Sequence, residues 1–483
     1  MNPITISKVL GIFVLIFSTG MIAPMVVAWI YGEAEWLNFL FTMLVLIAVG
    51  LLLWLPNRNR PSEVHARDGF VIVASFWLVL GLLGTLPFLF STSVDLSLTD
   101  AFFESTSALT TTGATVISGL DFLPKSILFY RQLLQWFGGM GIIVLAVAVL
   151  PMLGIGGMQL FRAETPGPNK DNKLTPRITE TAKSLWYLYI TFTVICALAY
   201  WYAGMSLFDA ICHSFTTIAT AGMSPHDASM GYFNNAMIEW IAVFFMFISG
   251  ITFATHFLAF RRGSLWVYFR DEETVTYFAI VVTAISVIWL TLVVHDINDN
   301  SFQVLRQTIF QVVSYLTTTG YSTTDISLWP FHISLIVVSL SFFGACAGST
   351  AGGMKIVRII IATRQVLREI YQLIHPRAIF SVKLNNHPVE YRVIQSVWVF
   401  LLVHLVIFFV LMQILLITGM DFITAYSTAA SAINNLGPAL GEAVSNWSSL
   451  NSVAKWLLSL AMIMGRLEIF TLLVLLTPMF WRK

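Results

Sequence analysis

Charge is what this chain has least of. Only 11% of its 483 residues are Asp, Glu, Lys or Arg, against 57% hydrophobic, and mean hydropathy is +0.80. A soluble protein of this size needs far more charge to cover its surface, so the composition indicates an integral membrane protein. The charges nearly cancel, at +1 overall, which gives no reason to expect a nucleic-acid or acidic-polymer partner. Cysteine is scarce too. Cys196, Cys212 and Cys346 lie in apolar surroundings without disulfide or zinc spacing and read as small packing residues. No nucleotide motif occurs, and the apolar runs offer no nucleophile–base pair or metal cluster of convincing spacing. An enzyme is therefore not expected, nor a bound cofactor.

What the chain has in abundance is apolar runs of about 20 residues, long enough to cross a bilayer as helices. Residues 4–30 and 37–55 form the first two. The run after Lys8 is too long for a signal-peptide core and reads as a retained helix. The link between the two carries Glu33 and Glu35 but no Lys or Arg, and the next polar segment carries Arg58, Arg60 and Arg67. The positive-inside rule then puts the N-terminus in the cytoplasm. Residues 69–90 cross outward. The apolar stretch 100–112, roughly 20 Å of helix, is too short to span. It follows Ser97-Leu98-Thr99-Asp100, a capping sequence. The chain stays polar to Lys125 and crosses back over 133–150.

This unit of helix, half-helix, loop and helix recurs at 185–202, 209–221 and 237–260, at 277–294, 302–319 and 332–361, and at 393–417, 421–436 and 453–476. The half-helices end on Thr110-Thr111-Thr112-Gly113, Thr220-Ala221-Gly222, Thr317-Thr318-Thr319-Gly320 and Asn434-Asn435-Leu436-Gly437. One Thr-rich turn closed by Gly is common. Four in register indicate duplication: Asp100 and Asp209 stand 13 residues before their glycines, and Ala101, Ala210 and Ala425 stand 12 before theirs. The links after each unit are basic, with Lys170, Lys173, Arg177 and Lys183, then Arg261, Arg262 and Arg270, then Arg358, Arg364, Arg368, Arg377 and Lys383, then Arg482 and Lys483. Asp95, Asp121, Asp227, Asp296, Asp299 and Asp325 lie beside the half-helices, on the opposite side. The expected fold is an all-α polytopic membrane protein of about ten spans. Four pseudo-symmetric repeats surround a central pore, and both termini lie inside. The expected divisions are a two-helix region (1–68) and repeats over 69–151, 152–262, 263–375 and 376–483, the second including a cytoplasmic loop.

Non-helical backbone does not face lipid, because unpaired amides there cost several kcal/mol each. Four such loops at membrane depth must line a wet cavity. The partly negative C-terminal ends of four half-helices converging there stabilise a cation, and carbonyls around each glycine replace its hydration shell. The expected ion-binding residues are Thr111, Thr112, Gly113, Thr220, Ala221, Gly222, Thr318, Thr319, Gly320, Asn435, Leu436 and Gly437. Hydroxyls recur two residues after glycine at Thr115, Ser224 and Ser322, whereas the fourth loop continues Pro438-Ala439. Four coincidental helix C-caps would also favour glycine, but they would not share a register.

The motifs Thr-Thr-Gly-Ala-Thr, Thr-Ala-Gly-Met-Ser, Thr-Thr-Gly-Tyr-Ser and Asn-Asn-Leu-Gly-Pro-Ala-Leu-Gly resemble the pore loops of the TrkH/TrkG/KtrB superfamily of potassium-uptake proteins, over nearly the whole chain. The two extra N-terminal helices and the glycine-rich stretch 344–355 look more like the TrkH branch. The resemblance implies potassium as the transported ion. In related plant transporters, serine in the first loop goes with sodium, so Gly113 argues for potassium. It also implies a homodimer in the bacterial inner membrane, and a cytosolic nucleotide-binding regulatory subunit like TrkA. Gly348, Ser349, Thr350, Ala351, Gly352 and Gly353 break what would otherwise be one helix, and the resemblance makes them a gating loop. A tight crossing of small residues is the bland alternative.

Arg466 lies inside the last apolar run, where a charge faces a cavity or a partner. The resemblance makes it a pore-facing arginine near that loop, while a local pair with Glu468 is the alternative. Lys355 and Arg358 read as anchors at the cytoplasmic membrane edge, and His256 as a satisfied core histidine. Residues 152–183, with Pro166, Pro168 and Pro176, read as a solvated loop, and 364–375 as a basic amphipathic helix at the inner surface. Either suits a docked cytosolic partner. A secondary transporter that couples potassium or sodium to protons is the alternative function, but such folds usually carry inverted repeats.

Overall fold

The computed structural model describes residues 3–59, 66–144, 178–295, 301–378 and 380–482. The segment containing Pro166, Lys170, Lys173, Pro176 and Arg177 lies outside the described residues, as do Arg60, Asp296, Asp299 and Lys483. The fold is helical, as expected. One short hairpin, Lys383–Leu384 against His387–Pro388, is the only strand pair among the described residues. Its turn, Asn385-Asn386, takes φ of 48° and 63°, which Asn tolerates better than most residues.

Among the described residues six helices are long and apolar enough to cross a membrane, or up to eight if each bent pair is one span. The first, Pro3–Tyr31, packs against Trp36–Asn57 and leans on the repeats. Each repeat then brings a short helix inward. These are Leu98–Leu109, Leu207–Ile218, Ser301–Leu316 and Phe422–Asn434. Three begin on built caps. Ser97 Oγ accepts from Asp100 N, Ser206 Oγ from Asp209 N, and Asp421 from the amides of Ile423 and Thr424. Their C-terminal halves are buried, so the half-helices form the centre of the bundle and the long helices wrap them.

The second helices of the repeats differ from expectation. The run expected over 237–260 is two helices, Ala236–Ser249 and Phe253–Arg262, bent by 93°. The run expected over 453–476 is Ser452–Arg466 and Phe470–Leu476, bent by 114°. In the third repeat the helix Phe331–Phe343 ends and Ile356–Ile374 begins, so the interruption is longer than the stretch 348–353. Hydropathy did not reveal the bends, because each lies within a run that stays apolar on average. At the second bend the backbone shows the cause: Glu468 and Ile469 sit at φ of 52° and 60°, which ends any right-handed helix.

Candidate functional site

The four glycine loops meet in a ring, each against the next. A Cβ on Gly113 would lie 2.2 Å from Ala221 O, on Gly222 1.9 Å from Thr319 O, on Gly320 2.1 Å from Leu436 O, and on Gly437 2.5 Å from Thr112 O. The cycle closes. The carbonyls of the residues just before each glycine (Thr112, Ala221, Thr319 and Leu436) thus lie against the neighbouring loop's glycine. All four glycines take positive φ, between 77° and 100°, and so do Thr111, Thr220, Thr318 and Asn435 two residues earlier, between 49° and 56°. Alternating handedness over three residues turns successive carbonyls toward one side, which ordinary helix or strand does not do.

The same register holds the loops from behind. Thr112, Ala221, Thr319 and Leu436 each donate their amide to the carbonyl five residues back, at 2.8 to 2.9 Å, a helix closure that satisfies otherwise orphaned carbonyls. Those acceptors are Ser107, Thr216, Ser314 and Ser431, a hydroxyl residue six before every glycine. Ser107 Oγ and Ser314 Oγ also donate to Ala114 O and Tyr321 O, at 2.6 and 2.7 Å. Nine before each glycine stands a polar post in three repeats. Glu104 accepts from Val116 N at 2.9 Å, His213 meets Ser224 Oγ at 3.0 Å, and Gln311 donates to Thr324 O at 3.2 Å. Both registers are present in the sequence and were missed because the repeats were aligned only around glycine. Thr115, Ser224 and Ser322 serve these turns: Ile117 N donates to Thr115 Oγ1, His226 N donates to Ser224 Oγ, and Ser322 Oγ donates to Thr324 O.

Two features break the symmetry. Glu104 and Arg131 form a buried ion pair at 2.8 Å. Arg131 donates onward to Thr115 Oγ1 at 3.0 Å and to Ser224 O at 3.2 Å, tying loop 1 to loop 2. Gln135 donates to Ala221 O at 2.7 Å and accepts from Met223 N at 3.1 Å. In the fourth loop, Asn435 Nδ2 donates to Thr112 Oγ1 at 3.0 Å, joining loop 4 to loop 1. Toward the half-helix N-termini, His226 lies between Asp121 and Asp209, 2.5 and 3.3 Å away. Burial alone would lower its pKa, but hydrogen bonds and charge from the two aspartates raise it above 6.5.

The segment 344–355 packs directly on the ring. Thr350 Oγ1 receives a hydrogen bond from Thr220 Oγ1 at 3.1 Å and donates to Ile218 O at 3.0 Å. Gly352 N donates to Thr318 Oγ1 at 2.7 Å, and Gly353 N to Asn434 O at 3.2 Å. Glycine is required at 352, since a Cβ there would lie 2.0 Å from Asn434 O. Ser349 and Ala351 are buried beside it. Arg466 Nη1 donates to Thr350 O at 3.0 Å and Nη2 to Gly138 O at 2.8 Å. Glu468 binds Arg358.

Lys355 and Arg358 therefore correct the expectation of edge anchors. Both are buried. Lys355 donates to Ala351 O, and Arg358 lies 3.9 Å from the Phe400 ring centre. Their aliphatic stems follow apolar runs, so the sequence alone put them at the edge. His256 is satisfied within the core, meeting Tyr268 OH at 2.9 Å and Ile248 O at 3.0 Å.

A helical protein with several apolar spans, in which four similar glycine loops close a ring, has the architecture of a membrane transport protein. The comparisons agree, and they are specific. Residues 36–483 match the TrkH family, described as cation transport proteins. The chain belongs to this family, whose members are transport proteins and not enzymes. It is 50% identical over 478 residues to the Trk system potassium uptake protein TrkH of Salmonella typhimurium, covering 99% of each chain. It is 38% identical over 480 residues to TrkG of Escherichia coli, covering 99% of this chain and 98% of that one. The crystal structure of the potassium transporter TrkH from Vibrio parahaemolyticus superposes with a TM-score of 0.92 at 48% identity, with both chains fully covered.

Proposed function

We propose that this protein takes up potassium through a channel-like path along the axis of the glycine ring. The observation that carries the reading is the closed cycle Gly113–Ala221, Gly222–Thr319, Gly320–Leu436, Gly437–Thr112, in which a backbone carbonyl of each loop lies against the next loop's glycine. Potassium is held there by Thr111, Thr112, Thr220, Ala221, Thr318, Thr319, Asn435 and Leu436 through carbonyls that replace its hydration shell. The half-helix C-termini add partial negative charge. Relatives named as potassium uptake proteins support the ion assignment.

The loop Gly348, Ser349, Thr350, Ala351, Gly352 and Gly353 acts as the gate, with Arg466 as its latch. Three ring-forming segments and one arginine hold it across the axis. A homodimer in the bacterial inner membrane, with both termini cytoplasmic, is part of the same reading. So is a cytosolic nucleotide-binding partner that acts on the gate. The name of the relatives, a Trk system, supports a complex of more than one component.

The test is flux in liposomes. Potassium should pass well ahead of sodium, down its gradient and without proton movement. Obligatory proton countertransport or cotransport would replace this reading with a coupled transporter. Deleting residues 348–353 should raise basal flux; a deletion that inserts normally but keeps low flux would show the loop to be packing.

A further inference from the structure

The elbow between residues 250 and 270 belongs to no part of the ring. The helix Ala236–Ser249 ends there and the chain turns by 93° into Phe253–Arg262. After the short helix Trp266–Arg270, the next span begins at Glu272. A helix turned by 93° from the apolar helix before it, followed by a short helix and then a full span, suits a position along the membrane surface. Its outer face is unusual for a soluble edge. Phe260 is 80% exposed, Leu265 74%, Trp266 70% and Phe269 71%. Interleaved with them are Arg261, Arg262 and Arg270, all exposed, and no acidic residue lies between 253 and 270. Apolar rings at interface depth beside guanidinium groups suit a sheet of phosphate headgroups over acyl chains. A soluble protein partner would not call for four uncovered apolar side chains beside the positive charge.

The inner face of the same elbow is bonded to the segment under the ring. Cys346 N donates to Gly250 O at 3.0 Å, and Phe253 N to Gly348 O at 3.2 Å. Thr252 Oγ1 donates to Ala347 O at 2.7 Å. We propose that the 253–270 elbow is a binding surface for anionic phospholipid, and that headgroups held by Arg261, Arg262 and Arg270 keep the 344–355 segment seated against the ring. The second half rests on the gating reading above. The lipid source is the leaflet itself, so bulk anionic lipid lowers basal flux.

The experiment uses the full chain in vesicles of phosphatidylcholine, alone or with roughly one-third phosphatidylglycerol, a composition that gives a surface potential sensed by basic residues. The variants are R261Q/R262Q/R270Q and the charge-keeping R261K/R262K/R270K. Binding is read by quenching of Trp266 with brominated phosphatidylglycerol, taken as the difference between the protein and its Trp266→Phe variant. Function is read as potassium flux per inserted molecule. We expect phosphatidylglycerol to quench Trp266 better than phosphatidylcholine does and to lower flux about threefold. Both effects should be lost in the glutamine variant and kept in the lysine variant. Equal quenching by the two lipids, or quenching unchanged by the glutamine substitutions, overturns the surface. Selective quenching with indifferent flux overturns the coupling to the segment. If the deletion of 348–353 still responds to lipid, the gating reading fails while the surface stands.

Discussion

Gly113→Ser is the substitution that tests the ring most directly. A Cβ at this position would lie 2.2 Å from Ala221 O, and the backbone sits at φ of 86°. Ordinary contact begins near 3.4 Å, so loops 1 and 2 must separate by about 1.2 Å at a point of close packing. Gln135 Nε2 also holds this carbonyl, at 2.7 Å, which limits how far the oxygen yields. The positive φ adds about 1–2 kcal/mol of strain for a residue with a side chain. Selectivity depends on carbonyl placement more steeply than folding does, and 1.4 kcal/mol of differential ion binding is a tenfold change. The expected result is normal insertion with potassium-over-sodium preference reduced about tenfold or more. Relative flux of the two ions through the purified variant in liposomes measures it. Unchanged preference in a normally inserted variant would refute the placement of Gly113 on the ion path.

Other substitutions probe the parts around the ring. Arg466→Gln should raise flux per inserted molecule severalfold, because it removes a positive charge from a low-dielectric passage and loosens the hold on Thr350 O and Gly138 O. Glu468→Gln, which removes the carboxylate that Arg358 binds and leaves the Arg466 bonds to Thr350 O and Gly138 O in place, should not reproduce the whole effect, and if it does, the latch is misassigned. Glu104→Ala leaves Arg131 buried without its carboxylate and should lower stability by about 3–5 kcal/mol, read as a shift in thermal unfolding in detergent; a loss under about 1 kcal/mol would mean water reaches the pair. His226 has a raised pKa, so its contribution is full below pH 6.5 and fades as pH rises through the raised value. Melting temperature should therefore fall on moving from pH 6 to pH 8.5 more in the native chain than in His226→Gln, and equal pH profiles would refute a stabilising role for the contacts of His226 with Asp121 and Asp209.

Much of this architecture was legible because duplication writes the same sentence four times. A half-helix of about 12 residues ending on Gly stands out once it recurs in register, and the structure places Gly113, Gly222, Gly320 and Gly437 in one ring. The supports were legible in principle. Ser107, Thr216, Ser314 and Ser431 share one register, but Ser and Thr are too common for it to stand out, and Glu104, His213 and Gln311 share another with side chains too unlike to be matched without the loops that they hold. The bends were not legible. An apolar run reads the same whether it is straight or folded at Gly250 or at Glu468, because hydropathy reports transfer to lipid and says nothing of φ. Lys355 and Arg358 were misplaced for a related reason: a charge near the end of an apolar run is normally at the membrane edge, and only the fold supplies Glu468 and Phe400 as partners.

The three interruptions below the ring lead to a last prediction. Broken helices leave backbone groups that lipid does not satisfy. Here they satisfy one another: Gly250 O accepts from Cys346 N, Gly348 O accepts from Phe253 N, and Thr350 O accepts from Arg466. The breaks of repeats 2, 3 and 4 therefore share one hydrogen-bonded unit, and releasing the segment from one side strands donors and acceptors on the other. Contacts of this kind couple energetically, whereas independent sites add. Thr252→Val removes the 2.7 Å bond to Ala347 O from the elbow side, and Arg466→Gln loosens the bonds from the opposite side. Each alone should raise basal potassium flux, and the double variant should raise it by less than the product of the two factors, because the first release already frees what the second would. A product that multiplies cleanly, in variants inserted to equal levels, would mean that the two sides hold the segment independently and that the breaks do not act as a unit.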